Sequence, residues 1–184
     1  MSVKKGKGLK NIHVLVYAAM LSAISVVIGI FCKNYLNFGN GIFRITFENF
    51  PIILSGLAFG PVVGALVGTL SDMVSFMLST QTFAISPIVT LGAAAVGAVS
   101  GLVSHYIFKR NGMWQVIISV AAAHLVGSVL IKSVGLFFYY HWLVLWRIPT
   151  YSIIATLEAS LLCYLYKSPV FAKIFRLGGK SNEL

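Results

Sequence analysis

Residues 45–79, ITFENFPIILSGLAFGPVVGALVGTLSDMVSFMLS, carry the choice between folds. As a single helix at about 1.5 Å per residue the run would measure about 52 Å, against a hydrocarbon core of about 30 Å. Gly60-Pro61 sits near its middle. Glycine commonly ends a helix and proline suits the first turn of the next. The expectation is therefore two short spans, 45–59 and 61–79, joined as a Gly-Pro hairpin.

Outward from the hairpin, residues 12–32, 88–108, 113–138 and 149–166 read as four further spans. The fold class expected is an all-α integral membrane protein with six transmembrane helices. It forms one membrane domain over 1–184, with a basic N-terminus (1–11) and a basic tail (167–184). Composition agrees: 58% of the 184 residues are hydrophobic, 10% are charged and mean hydropathy is +0.91. Soluble domains carry about 25% charged residues. The first apolar run, 21 residues long, exceeds the roughly 7–15 residues of a signal-peptide core and reads as a retained span.

The net charge of +10 would suggest nucleic acid in a soluble protein. Here it reports orientation. With six spans and both termini cytoplasmic, ten of the 14 Lys and Arg lie inside, Lys33, Arg44 and Arg147 lie outside, and Lys132 lies within a span. Merging 45–79 into one span would put Lys109-Arg110 outside and erase that bias. The bilayer of the cell membrane is the expected environment, and nucleic acid is not an expected partner.

Small residues indicate close helix contacts. Gly56, Gly60, Gly64 and Gly68 recur every four residues, and Gly97 and Gly101 repeat the interval. Ala19 and Ala23 form a small-xxx-small face that suits either internal packing or a partner's helices; spacing leaves both open.

In this topology the second, fourth and sixth helices begin at the outer face, with Ser86-Pro87 and Ile148-Pro149 as helix starts. Helix N-termini hold anions, and Arg44 and Arg147 stand beside two of them. The arginines suit an anion cradle or snorkelling to headgroups. Outer-loop aromatics (Tyr35, Phe38, Phe43, Phe83, Tyr139, Tyr140, Trp142, Trp146) and His141 suit an interfacial belt or a stacking pocket for a flat heterocycle. Ionisable groups inside spans are candidates because burying them in a bilayer is costly. Asp72 and Lys132 lie in the outer half, His124 and Glu158 near mid-depth. Asp72–Lys132 and Glu158–His124 are possible pairs, and Glu48 can meet Arg44. A carboxylate here can accept two parallel N–H bonds from a 2-amino-4-oxo heterocycle.

No cofactor or metal is expected. Cys32 and Cys163 read as inert thiols. Gly178-Gly179-Lys180-Ser181 imitates the end of a P-loop, but Ile174 stands where that motif needs glycine. Neither HExxH nor GxSxG occurs, so the chain is not expected to be an enzyme and ATP must be hydrolysed by other subunits. A small membrane enzyme would need Glu158, His124 and Asp72 to converge. A channel would need a polar stripe along one helix, and none is expected.

Phe43-Arg-Ile-Thr-Phe-Glu-Asn-Phe-Pro-Ile-Ile52, Gly56-Leu-Ala-Phe-Gly-Pro61 and Gly64-x3-Gly68-x3-Asp72 resemble the signature stretch of folate-specific S components of energy-coupling factor (ECF) transporters. Length, span number and the Ala19-x3-Ala23 face fit across nearly the whole chain. The chain departs from the pattern at 79–86, where a Pro/Gly-rich loop is expected. The resemblance implies capture of folate or a related pterin outside, with delivery inward on a transmembrane T component and two ABC-type ATPases. Ala19 and Ala23 would touch the T component, and loops 33–44 and 80–86, with Phe38 and Phe83, would be gates. Arg147 and Arg44 would hold the folate carboxylates, the aromatics from Tyr139 to Trp146 the rings, and a carboxylate, Asp72 first, the pterin edge. Phe43, Glu48, Lys132 and Tyr151 complete the expected substrate-facing set. Another heterocyclic vitamin is the alternative cargo.

Overall fold

Proline sets the start of two helices and lies in the first turn of two more. The computed structural model describes residues 12–38, 43–44, 46–78, 87–107, 112–134, 137 and 147–168. Helix α1 is Ile12–Tyr35, α2 Asn49–Phe59, α3 Pro61–Leu78 and α4 Pro87–Leu102, which continues as a π-helical turn, Val103–Ile107. Helix α5, Met113–Ala123, continues as a π-helical stretch, His124–Ile131, and α6 is Arg147–Tyr166. Pro61 and Pro87 are first helical residues, while Pro51 and Pro149 follow two residues into α2 and α6, where a missing N–H costs nothing. Cys32 and Cys163, on α1 and α6, form no disulfide with each other.

The bundle is α-helical, as expected, with one short ladder added, in which strands β1 (Asn37–Phe38) and β2 (Phe43–Arg44) pair antiparallel, Asn37 with Arg44 and Phe38 with Phe43. That ladder keeps the chain extended through Arg44, so α2 starts at Asn49, not at Ile45. Ser25 Oγ donates to the Glu48 carbonyl at 2.7 Å and ties the entry of α2 to α1. Among the described residues five helices, counting the π-helical continuations with their parents, are long and apolar enough to cross a bilayer. Helix α2, with 11 residues, is about 16 Å long and falls short of that length.

Helix α2 forms the axis of the bundle. Of its residues all but Phe50 are buried, and Ile52, Ile53, Leu57 and Ala58 pack with Val63, Val67, Val96, Val120 and Leu162. A helix apolar on every side is a buried one. The Gly-Pro hairpin is present. Gly60 turns the chain with φ +96°, a conformation open to glycine at no steric cost, and α3 folds back so that Gly64 faces Gly56.

The glycine ladder is the α3–α4 contact. A Cβ on Gly64 would overlap the Gly97 carbonyl, one on Gly97 the Gly64 carbonyl, and one on Gly68 the Ala93 carbonyl. Gly56 faces Ser100 and Gly97 in the same way, and Gly92 and Gly127 bring α4 against the π-helical part of α5. Outward, α1 shows Ile12, Leu15, Val16, Met20, Val27 and Phe31, an apolar face suited to lipid.

Candidate functional site

Because α2 reaches only about 16 Å from Gly60, its N-terminus ends inside the bundle, and polar side chains from the surrounding helices gather around it. Its N-cap residue, Glu48, makes no side-chain cap hydrogen bond. Lys132, 3% exposed, reaches it from α5, with Nζ 3.7 Å from Glu48 Oε1 and 3.4 Å from Asn49 Oδ1. Asn49 Nδ2 lies 3.4 Å from Ser128 Oγ. On the α1–α3 side a narrow cleft of about 180 Å³ of interatomic space is lined by Ser25, Glu48, Ile52, Ser71, Asp72, Ser75 and Ala93. Ser22 and Ser71 hydrogen-bond across its wall at 3.2 Å, and Thr90 donates to Asp72 Oδ2 at 2.7 Å.

These contacts change the expected pairings. Lys132 meets Glu48 and not Asp72, which accepts from Thr90 across the α3–α4 contact. Glu158 and His124 do pair, Nε2 to Oε2 at 2.7 Å, and both are buried. Tyr151 is buried on α6 with its ring centroid 6.1 Å from that of His124. Of the three acid–base groups an enzyme would need to bring together, two meet and Asp72 is held by Thr90.

A polar stripe, not expected on any helix, runs along α5. Gln115, Ser119, His124, Ser128 and Lys132 are all buried. The interval is four residues except between Ser119 and His124, where it is five. The helix is regular up to Ala123, and the π turns begin only at His124. Over the eight residues from His124 to Lys132 a regular α-helix would turn by about 80°. The wider π turns keep His124, Ser128 and Lys132 on one buried seam. At the far end Gln115 Nε2 donates to the carbonyl and hydroxyl of Ser104 at 2.7 Å each, which ties α5 to the π turn of α4.

The site residues sequence reasoning missed are the neutral ones: Asn49, Ser25, Ser71, Ser75, Thr90 and Ser128. Ser128 was readable in principle, four residues from both His124 and Lys132. Of the expected set, Glu48, Asp72, Lys132 and Tyr151 lie among the described residues with their side chains. For Phe38, Phe43, Arg44 and Arg147 the backbone alone is described, in β1, β2 and the first residue of α6. Phe83, Tyr139, Tyr140, His141, Trp142, Trp146 and the 178–181 fragment lie outside the described residues. Ala19 and Ala23 are both exposed on α1, so neither serves internal packing within this chain. Among the described residues no cluster of three or more His, Cys, Asp or Glu is placed to hold a metal.

Residues 13–177 match the family model described as ECF transporter, substrate-specific component. The folate transporter FolT of Clostridium novyi is 28% identical over 128 residues, 70% of each chain. An uncharacterised protein of Mycoplasma pneumoniae is 27% identical over 137 residues, 72% of this chain and 45% of that protein, so the match spans less than half of that relative. A crystal structure of FolT bound with folic acid superposes with a TM-score of 0.67 at 21% identity, covering 85% of this chain and 94% of that one, and shares the fold.

Proposed function

We propose, for a multi-pass membrane chain that belongs to the family of substrate-specific components of ECF transporters, that its cargo is folate or a close pterin relative. It binds that cargo at the end of the bundle remote from Gly60, the extracellular end in this reading, with both termini cytoplasmic. The helices then number six across the membrane, the short α2 being recessed within the other five. Delivery inward takes place on a T component with two ATPases, and this chain's own part is binding, not catalysis.

The observation that carries the reading is Lys132, a lysine 3% exposed within a span beside the N-terminus of α2. A buried cation and a helix N-terminus together favour an anion. Glu48 is the resident counter-ion in the structure. Folate brings two carboxylates for Lys132, Arg44 and Arg147, and a flat pterin for the aromatics of residues 139–146. Asp72, lining the cleft, is placed to accept N–H bonds from the pterin edge. The name of the Clostridium novyi relative supports the same cargo.

Intrinsic tryptophan fluorescence of the purified chain, titrated with folate and then with thiamine and riboflavin, tests this. Saturable, folate-selective quenching at nanomolar concentration is expected, with Trp142 and Trp146 as reporters. Silence toward folate with a response to another vitamin would move the cargo and keep the family.

A further inference from the structure

The pair His124–Glu158 takes no part in the proposed binding site, yet it is the most deeply buried ionisable pair among the described residues. Glu158 is 0% exposed in α6 and His124 is 3% exposed at the start of the π-helical stretch. Their contact uses one atom of each. Glu158 Oε1 and His124 Nδ1 have no hydrogen-bond partner, and neither has Ser119 Oγ, the next polar atom along the seam. Helices α2 and α4, packed against this part of α5, carry no titratable side chain. Glu48, just before α2, and Lys132 balance one another. From α6 the ring of Tyr151 faces His124. The charge of the pair therefore has to balance within itself.

With one proton shared between them the two groups are neutral overall, as imidazolium and carboxylate or as imidazole and carboxylic acid. Without it a carboxylate stays at membrane depth beside a neutral ring, and an uncompensated buried charge is strongly unfavourable. We infer that His124–Glu158 is a proton-binding site, and that the proton is held more tightly when an anionic ligand sits at Lys132. The proton comes from solvent, and no other bond changes. Lys132 lies eight residues from His124, about 12 Å along the helix. At an effective dielectric constant of about 20, a carboxylate added at that distance strengthens proton binding about tenfold. By reciprocity the bound proton strengthens ligand binding by the same factor. The coupling rests on the anionic cargo proposed above; the proton site itself does not.

The sign of the pH dependence follows. A folded pair that holds a proton which the unfolded chain has released makes folding a proton uptake. Stability then falls as pH rises, until the pair releases its proton. The test has two arms. Melting of the ligand-free protein in detergent is followed from about pH 6 to about pH 9 for wild type, E158Q and H124Q. The wild type should lose stability across this range more steeply than E158Q, whose amide needs no proton. Should E158Q fail to fold, H124Q, which keeps a donor toward Glu158 but shares no proton, must still shift the profile. Profiles that coincide with wild type overturn the proton site.

In the second arm folate is titrated calorimetrically in phosphate and in Tris at each pH. Wild type should take up a fraction of a proton on binding and lose up to about tenfold in affinity toward high pH, while E158Q does neither. Equal proton uptake in E158Q overturns the coupling. If folate binds at no pH, the cargo assignment fails, and the melting arm still decides whether the pair holds a proton.

Discussion

Lys132 shows how a single side chain organises the site. Its stem is buried against α4, where a Cβ on Gly92 would overlap its Cγ, and its ammonium lies between Glu48 and Asn49. Lys132→Met keeps the stem and removes the charge. Folate affinity measured by fluorescence titration should fall thirtyfold or more, from the ~2–5 kcal/mol lost when one partner of a buried charge pair is removed. Affinity within threefold of wild type would remove Lys132 from the site. Glu158→Ala should be worse for stability than for binding, since it leaves His124 buried without its partner, at about 3–5 kcal/mol; detergent melting reads this directly. Charged residues such as these were legible in the sequence because an ionisable group within an apolar run has few bland explanations. Their partners were not. Whether Lys132 faces Glu48 or Asp72 depends on the rotation of α5 about its own axis. The π-helical residue count that sets this rotation leaves no trace in hydropathy.

Two elements carry the packing, and each fails in its own way. The α3–α4 contact places Gly64 and Gly97 against each other's carbonyls, with no flexible side chain to move aside. Gly97→Ala should therefore destabilise the chain at the upper end of the ~1–3 kcal/mol range for overpacking, seen as loss of monodisperse protein in detergent. The four-residue spacing made this contact legible, because small residues at that interval have one common use in lipid. The start of α2 was not, since a two-residue ladder at 37–38 and 43–44 is too short to leave an alternating pattern. The π-helical part of α5 makes the opposite prediction to the glycine ladder. Deleting Val129, inside the π stretch, puts His124 and Lys132 seven residues apart, two turns of a regular α-helix, and keeps the same seam, so folding and ligand binding should survive. Deleting Thr69 in α3 turns Ser71, Asp72 and Ser75 about 100° out of register with Gly64 and Gly68 and should abolish folding. Equal damage from the two deletions would mean that the π stretch is not an accommodated extra residue.

At the scale of the whole molecule, the outer face of α1 suits a partner's helix as well as lipid. Helix α1 presents Leu15, Val16, Met20, Ile24 and Val27 outward, and among these long side chains the exposed Ala19 and Ala23 leave a shallow dent one helical turn long. Lipid chains do not require small residues; a helix packing closely across α1 does. The family to which the chain belongs is one component of a larger transporter. Replacing both alanines by leucine should leave the interior untouched, because neither side chain points into the bundle. The double variant is therefore expected to bind folate as wild type does, within about twofold, and to melt as wild type does. It should fail to co-purify with the transmembrane partner and ATPases when all are expressed together. Retained co-purification would place the docking surface elsewhere on the molecule. Joint loss of docking and binding would show instead that α1 reports its outer face to the Ser22–Ser71 and Ser25–Glu48 contacts on its inner one, so that ligand and partner are read by the same helix.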